Sequence, residues 1–440
     1  MKGKILKKLN EKTPDFLKKI LSKSIRKKVI ENSVFMKTLE EITNFEQLDE
    51  SDKEKIHLEK LKNVLIYAYE NTKYYNKVFD KIEFNPYEFK DVNEIKRIPT
   101  IDKQFVLDNF EDLISREEID YYLAYTGGST GKPLKILLDT DSIYKEKAFV
   151  YNYWSKFGYD YKNSRIITLR GLEFNGKIYK YNPIDNQIVL NPFILNENNV
   201  EDYIKIINKF KPEFMHGYAS AIYNLCRILN KKSLKLNVNI KSVCFVSENV
   251  DSGEREYIEK TLNCKSNIFY GHSERIVFAE YEDSTYKFNS LYTHVDLLES
   301  NKENIYNIAC TGLINKKMPL INYVPDDKVI ISDENINIYG HWDKEMLVGK
   351  NNELVSMASI NFHNEVFKKI KLYQFEQFKN GEVFLNIVED EILTEKDKSE
   401  IINTINKKLK NVIDIKLKIV ANIPLTNRGK YKKILQHISQ

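Results

Sequence analysis

Apolar residues recur at three- and four-residue spacings between positions 50 and 80, at Ile56, Leu58, Leu61, Val64, Leu65 and Tyr69, and this spacing predicts helix. Pro99-Thr100-Ile101-Asp102-Lys103 marks a loop feeding a short helix, with Thr100 the expected N-cap. From residue 120 the period changes. Short β-branched stretches at 165–169, 243–246, 267–269 and 305–309 alternate with longer amphipathic segments at 143–157, 200–210, 221–229 and 253–262. Strands that alternate with helices predict an α/β fold built on sheets. After residue 340 the pattern becomes that of a smaller α+β unit, with strands at 381–389 and 413–419 around a helix at 396–409. The expected organisation is an N-terminal helical segment (1–40), a large domain (41–340) and a small C-terminal domain (341–440), with the last boundary near 340–343. No internal repeat of fixed period is present.

Charge adds one feature. Of 440 residues, 68 are Lys or Arg and 63 are Asp or Glu, a net charge of +5. Residues 2–28 alone carry more excess positive charge than this total, because eleven lysines and arginines there face only Glu11 and Asp15. Ile5, Leu6, Leu9, Phe16, Leu17, Ile20, Leu21 and Ile25 lie between them near helical spacing. Such a basic amphipathic helix can rest on an anionic membrane surface or pack on its own domain, and the second reading is preferred. The rest of the chain is near neutral, so a general nucleic-acid binder is not expected. No apolar run approaches the roughly 18–20 residues that cross a bilayer. The start lacks a signal peptide's apolar stretch, so a cytoplasmic protein is expected. Four widely spaced cysteines, Cys226, Cys244, Cys264 and Cys310, form no CxxC pair and read as reduced, mostly buried thiols.

The densest chemical signal is Thr126-Gly127-Gly128-Ser129-Thr130-Gly131-Lys132-Pro133. Glycines let backbone N–H groups close around an anion without obstruction by Cβ. The hydroxyls add donors, and Lys132 adds a point charge suited to phosphate. Strand-like residues at 121–125 and 136–138 flank the stretch, so it reads as a phosphate-binding loop inside a hairpin. It is not a Walker A loop: three residues, not four, separate Gly127 from Gly131, and Pro133 disfavours a helix after Lys132. No Gly-x-Ser-x-Gly elbow is present, and the seven histidines form no HExxH.

The loop resembles the signature of adenylate-forming enzymes, Thr-Ser/Gly-Gly-Ser/Thr-Thr-Gly-x-Pro. Its Gly-Lys-Pro ending is similar to the phenylacetate-CoA ligase branch, and within that to CapK-type proteins associated with capsular polysaccharide biosynthesis. Further motifs follow in the family's order, so the resemblance runs from about residue 55 to the end. Ser247-Glu248-Asn249 stands where the family has its adenine-binding turn. Tyr270-Gly271-His272-Ser273-Glu274 matches Tyr-Gly-x-Thr/Ser-Glu. The segment from Pro319 to Asp327 is similar to Pro-Leu-Ile-Arg-Tyr-x-Thr-Gly-Asp, with Asn322 in place of Arg and Pro325-Asp326 in place of Thr-Gly. Gly340-His341 stands at the hinge, where His replaces the family's Arg. Pro424 to Lys430 resembles the C-terminal Pro-x-Thr-x-x-Gly-Lys.

The resemblance implies an ANL-type fold, with a large multi-sheet N-terminal domain and a small α+β lid. It implies ATP and Mg²⁺, a small-molecule carboxylic acid as substrate, and coenzyme A among the candidate acceptors. By the same resemblance Tyr270 packs on adenine, Ser273 sits near the α-phosphate, Glu274 holds Mg²⁺ and Asp327 accepts from the ribose hydroxyls. Lys430 swings in to stabilise charge at the α-phosphate, and Lys132 belongs to the phosphate loop. His341 substitutes a mostly neutral ring for a permanent cation. Arg170, Glu173 and Asn175, after a strand, and His216 and Tyr218, beside Gly217, are candidate lining for the acid. The function so implied is activation of an acid as its acyl-adenylate. Lasting transfer of AMP to an acceptor and a non-catalytic nucleotide-binding scaffold are the alternatives, and a homodimer is compatible with all three.

Overall fold

The computed structural model describes residues 30–125, 134–171, 174, 176–248, 250, 252–300, 304–332, 335–339, 346–351, 354–356, 365–408, 412–425 and 431–438. The chain divides into two compact units. The first runs to Ser164 and takes in Tyr181–Gln187 and Asn267–Ile338; the second comprises Arg165–Lys180, Ile188–Ser266 and the chain from Tyr339 onward.

The first unit opens with helices α1 (Ser33–Glu46), α2 (Glu50–Asn71) and α3 (Lys73–Lys81). The periodicity across 50–80 therefore produces two helices. Thr72 separates them: its backbone is extended at φ −117° and ψ 149°, and its hydroxyl accepts from the Tyr75 N–H at 3.2 Å, so it starts a new helix and does not continue the old one. Strand β1 (Ile101–Asp102) leads into α4 (Lys103–Asp108). Asp102, not Thr100, caps this helix, with the Phe105 N–H donating to Oδ1 at 2.8 Å. Ile101 and Asp102 pair with Tyr323 and Val324, which keeps the chain extended past Thr100. Strands β2 (Tyr121–Tyr125) and β3 (Lys135–Asp139) form the expected hairpin, with Tyr125 opposite Lys135, and α5 (Thr140–Ser155) follows.

The middle of the chain contains β4 (Ile166–Leu169), β5 (Tyr179–Asn182), β6 (Gln187–Leu190), α6 (Val200–Phe210), β7 (Phe214–Gly217), α7 (Ala219–Lys231), β8 (Ser242–Phe245) and α8 (Ser252–Leu262). Strands β4, β7 and β8 of the second unit pair in parallel, with Thr168, His216 and Cys244 in one row. All twelve residues of these three strands are buried, as expected of parallel strands covered by helices on both faces.

The first unit resumes as antiparallel sheet. Strands β9 (Lys265–Gly271), β10 (Phe278–Glu282) and β11 (Thr285–Phe288) form one array. Strands β12 (Thr293–Glu299), β13 (Ile305–Gly312), β14 (Tyr323–Val324), β15 (Lys328–Ser332) and β16 (Asn335–Tyr339) belong to another, in which β13 pairs with β12, β14 and β15. A chain of buried aromatics, Tyr75, Phe79, Phe84 and Phe89, packs in the core of this unit. The Tyr75 hydroxyl accepts from the Ile321 N–H at 2.8 Å and so ties α3 to the segment that carries Asp327.

The C-terminal part begins with β17 (Met346–Val348) and β18 (Leu354–Ser356). Strands β19 (Ile370–Lys379) and β20 (Glu382–Glu389), helix α9 (Glu395–Lys408), and strands β21 (Asp414–Ile419) and β22 (Ile434–Gln436) follow. The four-stranded sheet runs β21-β20-β19-β22, and Val383, Leu385 and Ile387 pack against Ile401 and Ile405 of α9. The cysteines are free thiols, three of them buried. No helix among the described residues is long and apolar enough to cross a membrane.

Candidate nucleotide site

Tyr270 and Gly271 end β9, and residues 272–275 form the turn into β10, closed by the Arg275 N–H donating to the His272 carbonyl at 3.1 Å. Asp327 lies between β14 and β15. These separate segments meet. The Tyr270 hydroxyl donates to Asp327 Oδ2 at 2.7 Å, and His272 Nε2 lies 2.7 Å from the same oxygen and 2.6 Å from the Tyr270 hydroxyl. The two rings stand edge to face at 4.9 Å between centroids. His272 Nδ1 is buried with no partner among the described residues. A buried polar atom without a partner is costly, so its place beside Asp327 marks a spot where a bound molecule can complete the network.

Electrostatics agree. Burial opposes charge on His272, but the hydrogen bond to Asp327 and the nearby Glu274 and Asp326 carboxylates outweigh it and raise its pKa. Burial raises the Glu274 carboxyl above its usual value; His272 opposes the shift and Asp327 adds to it. Burial, then Asp327 and Glu274, pushes the Cys310 thiol up. Glu274 makes no ion pair among the described residues, and Ser273 beside it is exposed. Hard carboxylate oxygens at the edge of a polar cluster suit Mg²⁺, which takes one or two protein carboxylates and completes its shell with water and phosphate.

Asn322, where the resembled motif has Arg, is buried in a left-handed conformation at φ +51°. Its Nδ2 donates to the carbonyls of Ile95 and Ile98 at 2.9 Å each, and its carbonyl accepts from the Ile101 N–H at 3.1 Å. An amide here fastens the 95–101 segment to the strand before Asp327, and asparagine tolerates that backbone.

In the second unit the carboxyl ends of β4, β7 and β8 present Arg170, Tyr218 and Ser247, the edge where α/β folds bind ligands. Gly217 sits at φ +147°, and a Cβ there would lie 2.1 Å from the Leu169 carbonyl oxygen. His216 Nδ1 is 3.2 Å from the Thr168 hydroxyl. Burial, aided by Arg170, pulls the His216 pKa down to about 3. Arg170 Nε is buried without a partner among the described residues. Below the ordinary value of 6.5, the unfolded chain gains a proton on His216 that the folded chain refuses. Stability should therefore fall as pH drops from about 6.5 toward about 3. Urea unfolding between pH 7 and pH 4 should show a shallower decline for His216→Gln than for the parent chain.

Glu248 carries two backbone hydrogen bonds within the second unit. Its Oε2 accepts from the Ser220 N–H at 3.0 Å and its Oε1 from the Tyr431 N–H at 3.1 Å. Ser247 carries a left-handed backbone at φ +60°. Neither this clamp nor His272 was expected to act from sequence. The residues Thr126, Gly127, Gly128, Ser129, Thr130, Gly131 and Lys132 read as a phosphate loop, together with Asn249, Glu173, Asn175, His341 and Lys430, lie outside the described residues, as does all of the basic segment 2–28.

The fold is that of acyl-CoA ligases. The chain aligns with the crystal structure of 2-hydroxyisobutyryl-CoA ligase in the postadenylation state with a TM-score of 0.67 at 13% identity, covering 88% of this chain and 90% of that one. A structure of the same ligase in complex with 2-HIB-AMP and CoA in the thioesterification state aligns with a TM-score of 0.52 at 14% identity, covering 88% and 90%.

Sequence likeness then points more narrowly. Residues 347–437 match the CapK C-terminal domain. Protein CapK of Staphylococcus aureus is 24% identical over 392 residues, 84% of this chain and 86% of that protein.

Proposed function

We propose that this protein is an ATP-dependent, AMP-forming ligase that activates a carboxylic acid as its acyl-adenylate. The observation that carries the proposal is the meeting of Tyr270, His272 and Asp327 on one oxygen, beside Glu274. Asp327 Oδ1 offers an acceptor to ribose hydroxyls, the Tyr270 ring offers a face to adenine, and His272 Nδ1 offers a polar contact to the sugar or phosphate. The carboxylate oxygen of the acid forms a bond to the α-phosphorus as the bond to pyrophosphate breaks. Lys132, the glycine loop and Lys430 neutralise charge on the phosphate oxygens, chemistry that is mainly positioning and electrostatics. Bound Mg²⁺ would supply further charge neutralisation at the phosphates, held by Glu274. Coenzyme A is a candidate acceptor. Likeness to Protein CapK supports a place in surface polysaccharide biosynthesis.

The full chain incubated with ATP, Mg²⁺ and a panel of carboxylic acids should release AMP and pyrophosphate with at least one of them. ADP release, or no turnover with any acid, would overturn the proposal. Glu274→Gln keeps the shape but removes the charge. It should lower AMP formation by about 100-fold at saturating ATP, a typical loss for a group acting on transition-state charge, and shift the Mg²⁺ requirement upward.

A further inference from the structure

Two histidines far apart in sequence meet within the first unit. His57 lies on α2 and His294 on β12. His57 Nε2 is 3.0 Å from His294 Nδ1, and the rings stack at 5.2 Å between centroids with 25° between their planes. The outer nitrogens face groups that only accept. His57 Nδ1 donates to the Ser290 carbonyl at 2.7 Å, and His294 Nε2 lies 3.2 Å from Asp296 Oδ2. A carbonyl and a carboxylate offer no proton of their own, so each outer nitrogen carries one. The inner nitrogens need one proton between them, because two lone pairs or two N–H groups would repel. Two outer protons and one inner proton on the two rings leave the pair with a single positive charge, beside the Asp296 carboxylate.

Few other charges meet the pair. Lys96 Nζ, from the 3₁₀ helix Val92–Arg97, is 3.6 Å from Asp296 Oδ1. Across from β12, β13 places Thr311 opposite His294 and Ala309 opposite Asp296, neither of them charged. On α2 the charged neighbours of His57 at helical spacing are Lys53, which pairs with Glu50, then Glu54, and Lys60, which pairs with Glu41 of α1. Burial opposes charge on Asp296, but the hydrogen bond and charge of His294, then Lys96, outweigh it and lower its pKa. Burial pulls the His57 pKa below 6.5; its bond to the Ser290 carbonyl opposes this and the charge on His294 adds to it. The buried residues of α2 are Leu61, Leu65 and Ala68, all beyond His57, so the first turns of the helix have no fully buried side chain to hold them.

We propose that His57 and His294 share one proton and form a pH-sensitive clasp, which fastens the first half of α2 to β12 and the turn before it and opens in acid. A second proton would set N–H against N–H between the rings, in a place that already holds a cation. The folded chain resists that proton, whereas the unfolded chain takes it up near pH 6.5. The contribution of the clasp is therefore fully present above about pH 6.5 and is lost as pH falls from there toward the lower folded value. A proton and not a metal ion fills the gap: Asp296 sits on the far nitrogen, and no group of three His, Cys, Asp or Glu among the described residues is arranged to hold a metal. Nothing in the clasp depends on ATP or on the acid.

Hydrogen exchange on the full chain at about pH 7.5 and about pH 5, corrected for the intrinsic pH dependence of amide exchange, tests the clasp. Amides of 53–60 and 290–296 should lose protection together in acid by about tenfold, the size expected for one hydrogen bond to a charged group. His57→Gln is the informative variant. The glutamine amide can donate to the Ser290 carbonyl while its oxygen accepts from the His294 N–H, so the fastening persists with no site for a second proton. The acid loss at these amides should shrink to within about twofold, while amides of the β4–β7 pair respond as in the parent chain. Undiminished acid loss in His57→Gln, or no acid loss in the parent, would overturn the proposal. Nitrogen-15 NMR of the histidine-labelled parent at about pH 7 decides the matter even if the variant does not fold: one charge shared by the two rings supports the clasp, and two neutral rings refute it. Zinc chloride that raises the unfolding midpoint of the parent but not of His57→Gln would put a metal ion between the nitrogens and equally overturn the shared proton.

Discussion

Asp327→Ala should weaken ATP binding by about 100-fold or more, because it removes hydrogen bonds to a charged acceptor from both the ligand and its own protein partners. The Asp327 carboxylate accepts from Tyr270 and lies within hydrogen-bond distance of His272 through one oxygen. Without it the tyrosine hydroxyl and His272 lose the acceptor that orients them, and the proposed adenine platform and proposed polar contact at Nδ1 are loosened together. Isothermal titration with ATP in the presence of Mg²⁺ measures the loss. Asp327→Asn is the informative companion. Its amide oxygen can still accept from Tyr270, so it should retain more affinity than the alanine variant. Equal, unimpaired affinity in both variants would remove Asp327 from the site and with it the main support for the ligase reading. Thermal unfolding run alongside separates a weakened site from a weakened fold.

The parts of this molecule that the sequence made legible are those whose signal is local. Helix α6 coincides with the amphipathic stretch 200–210, and β4, β8 and β9 fall within a residue or two of the apolar runs that predict them, whereas β7 was not read from the sequence. The hairpin β2–β3 was legible because glycines and hydroxyls separate two short apolar runs. The antiparallel strands from β10 to β16 were mostly hidden. Their apolar positions are interrupted by Glu280, Glu282, Asp296 and Glu299, and their pairing is settled by partners distant in sequence. Thr72 and Asp102 show the same limit at helix ends: each cap depends on where the neighbouring chain is already extended.

The candidate site follows the same rule. The motif at Tyr270–Glu274 and the aspartate at 327 could be picked out by likeness, and the fold brings Tyr270 and Asp327 within 2.7 Å. His272 stood at the motif's variable position, and nothing in its spacing announced a ring locked between Tyr270 and Asp327. Asn322 read as a departure from an expected arginine. Its three backbone partners, with the Thr311 hydroxyl that accepts from its own N–H, explain it as a structural fastening. Glu248 could not have been assigned to Tyr431 from sequence, because the two are 183 residues apart and the contact goes to a backbone amide that any residue offers.

Gly217→Ala should be the most damaging single methyl in the described chain, destabilising the protein by about 4 kcal/mol or preventing folding outright. Two independent penalties act at once. The backbone at φ +147° lies in a region that side chains rarely adopt, and the new Cβ would sit 2.1 Å from the Leu169 carbonyl oxygen. That atom belongs to a strand end and cannot step aside like the tip of a flexible side chain. Leu169 and Gly217 are register partners in β4 and β7, and the Leu169 carbonyl also accepts from the Tyr218 N–H at 3.0 Å. Pushing it away breaks this hydrogen bond and moves the start of α7, including Ser220 and its contact to Glu248. Denaturant unfolding of Gly217→Ala should therefore show a much lower midpoint than the parent chain. Substituting Gly176, where a Cβ meets nothing within 4 Å although φ is also positive at +76°, should cost only its backbone strain, about 1–2 kcal/mol. The gap between these two variants isolates the steric clash at the β4–β7 edge. If both lose equally little, the close approach of Gly217 to Leu169 is not a constraint, and the tight strand end that presents Tyr218 and the α7 start would lose its physical basis.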